Sequence, residues 1–130
     1  MFTPEPLQVT GITFAVYPVT DVPRARQFYE GVLGLKTCAE MEFQPGKWWI
    51  EYDVGPSALA ITNFESPGGQ TGRNAGVALE VTNYEAALAT VQEAGVAVVW
   101  GPNEFPVCSS FAVRDPDGNE LYIHQHKQHA

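Results

Sequence analysis

Val19-Thr20-Asp21 and Val81-Thr82-Asn83 are the stretches on which the fold turns. They stand 83 − 21 = 62 residues apart, nearly half of the 130-residue chain. Each closes a strand-like run, Ile12 to Val19 and Ala75 to Val81, and each opens a helical pattern. Asp21 is a good N-cap, with Pro23 in the first turn behind it. Val22, Ala25, Tyr29 and Val32 then fall at helical spacing, and Gly34 supplies the stop. The second helix repeats the scheme. Asn83 caps it, Tyr84, Ala87, Leu88 and Val91 form its apolar stripe, and Gly95 ends it. Matching caps, stripes and stops at one offset mark an internal duplication.

Three strand-like runs follow each helix. In the first half they lie near Lys36–Phe43, Lys47–Val54 and Ala58–Asn63, with turns at Pro45-Gly46 and Gly55-Pro56. In the second half they lie near Ala97–Gly101, Val107–Arg114 and Glu120–His126. The strongest hairpin signal is Asp115-Pro116-Asp117-Gly118-Asn119, where Pro presets φ and Gly takes the left-handed position. Glu65–Arg73, rich in Gly, Ser and Pro, reads as a linker. The expected fold class is α+β: one domain over residues 1–130, made of two βαβββ modules at about 11–64 and 75–126.

Composition narrows the setting. Apolar residues are 45% of the chain, which suits a globular domain. No apolar run approaches the ~20 residues of a membrane-spanning helix. The first ten residues lack the basic and apolar regions of a signal peptide. Two cysteines, Cys38 and Cys108, are too few for a disulfide framework. A cytoplasmic location is therefore expected. The formal charge of −8 argues against nucleic acid and anionic membranes as partners, and it serves solubility.

Strand alternation sorts the side chains into two faces. A helix must cover one face of each sheet. Tyr17, Val19, Ile50, Tyr52, Val77, Leu79, Leu121 and Ile123 belong to the covered faces. Phe14, Trp49, Glu51, Glu80, Tyr122 and His124 fall on the helix-free faces. Aromatic walls with a few polar groups are typical of a ligand cavity. The same residues also suit a half-solvated sheet face or a subunit contact.

Phe28-Tyr29-Glu30-Gly31-Val32-Leu33-Gly34-Leu35 resembles the helix end of the vicinal oxygen chelate superfamily, which includes glyoxalase I, bleomycin-resistance proteins and extradiol dioxygenases. Asp115 to Leu121 resembles that superfamily's Asp-Pro-Asp-Gly-Asn hairpin, and Val19-Thr20-Asp21 its motif before the first helix. The resemblance runs from about Gly11 to His126. It implies incomplete barrels curled around a cleft, and a homodimer. It also implies four metal-ligand positions, which here read Phe14, Glu51, Gly76 and Tyr122. Only Glu51 is a good ligand, whereas an open catalytic site normally uses about three. No metal and no other cofactor is expected on this set.

The leading expectation is a protein that binds a small, partly apolar molecule in an aromatic cleft. Its ligand-binding residues would be Phe14, Trp49, Glu51, Gly76, Glu80, Tyr122 and His124. The alternative is an enzyme. A metal-free isomerase, epimerase or lyase would use Glu51 and His124 as acid and base. A metal-dependent lyase or dioxygenase is the weaker form of that alternative. His124 and His126 also make an H-x-H pair, which Glu51 can complete as a displaced metal site, against the plainer reading of a polar chain end. Cys108, just after Pro106, faces either the cavity or the core, and a packed thiol is the ordinary reading.

Overall fold

A computed structural model describes residues 12–64 and 76–127; the expected linker Glu65–Arg73 lies outside them. In the first module, β1 (Phe14–Pro18) leads to α1 (Val22–Arg26), which continues as a π-helical segment over Gln27–Val32. Then come β2 (Lys36–Gln44), β3 (Lys47–Val54) and β4 (Ser57–Thr62). The second module repeats this with β5 (Val77–Glu80), α2 (Tyr84–Glu93), β6 (Val98–Glu104), β7 (Cys108–Arg114) and β8 (Glu120–His126). Each module forms its own four-stranded sheet: sheet A has the order β1-β4-β3-β2 and sheet B the order β5-β8-β7-β6. The first strand of each runs parallel to the last, and the other pairs are antiparallel.

The helices start where capping chemistry starts them. The Asp21 side chain accepts the Arg24 backbone N–H at 3.0 Å, and Asn83 accepts that of Ala86 at 3.0 Å. Gly34 and Gly95, at φ +71° and +76°, end them in the left-handed conformation. The first helix departs from the plain α-helix expected. Its Leu33 N–H reaches back five residues to the Phe28 carbonyl. Phe28 and Tyr29 are neighbours in sequence and both are buried, with rings edge to face at 5.1 Å.

One continuous core joins the covered faces of both sheets. Tyr17, Val19, Ile50, Tyr52, Leu121 and Ile123 are buried in it, while Val77 and Leu79 pack against it half-buried. The modules are also fastened by polar contacts. Tyr17 donates its phenol to the Glu120 carbonyl at 2.6 Å and accepts the Val77 N–H at 2.8 Å. Tyr29 donates to the Asp115 carboxylate at 2.9 Å. The same carboxylate accepts the backbone N–H groups of Asp117 and Asn119 and the Asn119 side-chain amide. That amide also donates to the Pro18 carbonyl at 2.8 Å. Asp117 accepts from the Thr20 N–H and hydroxyl and from the Arg24 guanidinium, so the Asp115–Asn119 turn reaches Pro18, Thr20, Arg24 and Tyr29 of the first module. Burial and the neighbouring Asp115 charge push the Tyr29 phenol far above its ordinary pKa, which keeps it a donor.

Candidate functional site

With the covered faces committed to the core, chemistry is left to the other face of each sheet. On sheet A this open face carries Phe14 and Val16 from β1, Ala60 and Thr62 from β4, and Trp49 and Glu51 from β3. Their register places Val16 beside Ala60 and Ala60 beside Glu51. Ala60 and Thr62 form a buried floor, and Phe14, Val16, Met41, Phe43 and Phe64 stand exposed around it. The Phe14 and Trp49 rings meet edge to face at 5.2 Å. The Trp49 indole N–H donates to Glu51 at 2.7 Å, which fixes the carboxylate beside the rings. A pocket of about 450 Å³ opens here between Val16, Phe43, Gln44, Trp49, Thr62 and Phe64. Trp48 points the other way, half-buried against the core.

The open face of sheet B is built differently. Tyr122 lies over Gly76: a Cβ at Gly76 would meet the Tyr122 ring at 2.3 Å. Trp100 packs edge to face on Tyr122 at 5.7 Å and stacks on Phe105 at 6.2 Å. Beyond them, His124 Nδ1 lies 2.6 Å from Glu80 Oε1, and the His126 ring stands 4.7 Å from the His124 ring. The backbone N–H of His126 donates to the other Glu80 oxygen at 2.8 Å. Desolvation works to raise the Glu80 pKa, but the His126 N–H and the two imidazoles outweigh it and hold the carboxyl below its usual range. Cys108 pairs with His126 across the β7–β8 ladder and so shares this open face rather than the core.

The residues singled out in the sequence are therefore sorted by module. Phe14, Trp49 and Glu51 come together on sheet A. Gly76, Tyr122, Glu80 and His124 come together on sheet B. Glu51 is bonded to Trp49 and His124 to Glu80, so the structure gives the expected acid–base pair two separate sets of partners. The third donor beside the two histidines is Glu80, not Glu51. The parallel register that sets Glu80 opposite His124 is the feature alternation did not supply.

The four positions of the implied metal set do not fit a divalent ion. Phe14 offers no lone pair and packs on Trp49. Gly76 has no side chain, and the space one would need is filled by the Tyr122 ring. Glu51 is left as the one strong donor of the set.

A larger groove, about 790 Å³, lies between the modules on the helix-bearing side. Ala15, Leu35, Leu59, Leu79 and Val91 line it, and no aromatic ring does. Its lining is mainly apolar, with Asp53, Ser57, Glu80 and Thr90 as the polar members, and it has no aromatic wall, so the open faces are the better candidates for a ligand. Nothing in the local sequence pattern announced this groove, because it arises from how the modules sit together.

The sequence model of the Glyoxalase/Bleomycin resistance protein/Dioxygenase superfamily matches residues 11–123. No curated protein sequence matches the chain closely enough to count as a relative. Among solved structures, the antibiotic binding protein TnmS3 from Streptomyces sp. CB03234 is similar, with 26% identity, a TM-score of 0.81, and coverage of 93% of this chain and 99% of that one. A glyoxalase/bleomycin resistance protein from the same organism has 27% identity and a TM-score of 0.77, covering 88% of this chain and 100% of its own. A superfamily member from Sphaerobacter thermophilus DSM 20745 shares the fold at 22% identity and a TM-score of 0.78, covering 92% and 99% of the two chains.

Proposed function

This chain belongs to the glyoxalase/bleomycin resistance protein/dioxygenase superfamily, and from that premise we propose that it binds a small, partly apolar molecule on the aromatic open face of sheet A, with no metal at the four superfamily positions. The observation that carries the reading is the cluster of Phe14, Trp49 and Glu51 around a buried Ala60–Thr62 floor. Five large apolar side chains exposed on one sheet face exceed the scattered singles of an ordinary surface. The adjoining pocket of about 450 Å³ is within the range of ligand sites. Rings supply stacking area, and Glu51 supplies one oriented acceptor for a ligand N–H, O–H or cation. The likeness to a protein described as antibiotic binding supports the same class of ligand.

The test begins with a thermal-shift screen of metabolites and aromatic antibiotics. A hit is then titrated by tryptophan fluorescence and recovered for mass analysis. The expected result is saturable quenching, lost in Trp49→Phe, with the ligand returned unchanged. Conversion of the ligand would replace binding by catalysis. Quenching that persists in Trp49→Phe would move the site off sheet A.

The reading extends to a homodimer. Strands β1 and β5 each end a sheet, and the apolar groove beside β5 lies open in a single chain. Unpaired edges and apolar grooves favour coverage by another copy. Light scattering should give twice the 14.2 kDa chain mass. A monomer throughout the accessible concentration range would remove this part of the reading.

A further inference from the structure

We propose that Glu80, His124 and His126 form a binding site for one divalent first-row transition ion, on the open face of sheet B and away from the four superfamily positions. The inference does not depend on the small-molecule reading. His124 and His126 are two apart on β8, so their side chains leave the same face. Glu80 lies directly opposite His124 on the parallel neighbour β5. Its Oε1 stands 2.6 Å from His124 Nδ1 and 4.0 Å from His126 Nε2, and all three donor atoms lie within 4.8 Å of one another. Metal–ligand bonds of about 2.0–2.2 Å put neighbouring donors roughly 3–3.5 Å apart. The observed separations bracket that spacing, so small side-chain rotations bring the three onto one ion.

The arrangement is ordered before any ion arrives. The His126 backbone N–H holds Glu80 Oε2, which leaves Oε1 turned to the imidazoles. Two imidazoles and one carboxylate suit zinc, cobalt, nickel, copper or ferrous iron, and not the all-oxygen shells of calcium and magnesium. The His124 side chain is 23% exposed and that of Glu80 50%, so the remaining coordination positions open to solvent or an exogenous ligand. Cys108 faces His126 across the ladder but is not one of the three converging donors. The first module has no counterpart. The repeat offset carries Glu80, His124 and His126 onto Pro18, Thr62 and Phe64, which cannot assemble such a set. One site per chain follows.

The experiment is titration of metal-free protein with Co²⁺, Ni²⁺ and Zn²⁺ near neutral pH, followed by calorimetry, thermal shift and, for Co²⁺, the visible spectrum. Expected are one ion per chain, a rise in Tm with ion concentration, and Co²⁺ bands without a thiolate charge-transfer component. Glu80→Gln and His124→Gln should each weaken binding by roughly a hundredfold or more, beyond the loss from disturbing an outer partner of a ligand. Cys108→Ser and His129→Gln should leave it intact. A single cooperative urea transition for each metal-free variant, with the folded baseline kept, separates lost ligation from lost folding. Absence of stoichiometric binding would overturn the proposal. So would binding that survives both Glu80→Gln and His124→Gln, or binding abolished by His129→Gln alone.

Discussion

The two modules use one scaffold for two different surfaces. Across the 62-residue offset, the covered faces match: Ala15 with Val77, Tyr17 with Leu79, Leu59 with Leu121, Ile61 with Ile123. Every pair is apolar, because both members serve the shared core. The open faces diverge. Phe14 becomes Gly76 and Ala60 becomes Tyr122, so the ring that fills the face comes from the edge strand in one module and from its neighbour in the other. Thr62 and Phe64, which line the apolar pocket, become His124 and His126. Packing constrains what touches the core, while the outer face is free to take on separate chemistry.

The turns before the last strands show the sharpest contrast, and breaking it should have the largest effect. Asp115 is 4% exposed and accepts four hydrogen bonds. Asp53, at the corresponding end of β3, is exposed. Asp115→Ala leaves several buried donors without a partner and should cost roughly 3–5 kcal/mol by chemical denaturation. Asp53→Ala should stay within about 0.5 kcal/mol. A loss below about 1 kcal/mol for Asp115→Ala would show that this turn is not what fastens the modules.

The exchanged rings give an intermediate effect. Gly76→Ala drives a methyl into Tyr122, and overpacking of this kind costs about 1–3 kcal/mol. Adding Tyr122→Ala to that variant should recover much of the loss. Equal destabilisation with and without the ring would mean that the backbone at residue 76, not the ring above it, sets the requirement for glycine.

The smallest effect concerns acid. Burial tends to raise the Glu30 pKa, but hydrogen bonds from Arg26 and Tyr52 outweigh it and hold the carboxyl below its usual value of 4.5. A depressed folded-state pKa contributes stability that is complete above the unfolded value and is lost as pH falls through the folded one. Glu30→Gln should therefore flatten the acid limb of the urea midpoint against pH, below about pH 4.5. The limb should keep a residual slope, because Glu80 in the second module is depressed in the same direction. An unchanged limb would remove the Arg26–Glu30–Tyr52 cluster from the account of acid sensitivity.

Much of this architecture was legible before any coordinates. Caps at Asp21 and Asn83, stops at Gly34 and Gly95, and the turn at Asp115–Asn119 depend on local backbone chemistry, which sequence states directly. The assignment of Tyr17 and Tyr52 to the core, and of Trp49 and Glu51 to the open face, depends only on the two-residue period of a strand. The π-helical segment was not legible, since the five-residue reach from Leu33 back to Phe28 has no marker in the local apolar spacing. The pairing of Glu51 with His124 rested on shared openness, and shared openness does not establish that two side chains lie close.

By itself, then, the sequence determined the duplication, the βαβββ order of each half, and which faces of β1, β3, β5 and β8 are turned to the core. All of these follow from short-range periodicity and side-chain chemistry. Only the tertiary structure decided that Glu80 stands beside His124 and His126, that Tyr122 covers Gly76, and that the Asp115 turn clasps the first module through Tyr29 and Pro18. Those contacts join residues 44 to 101 positions apart. Their physical cause is the register between β5 and β8 and the docking of one covered face on the other, which no local pattern encodes.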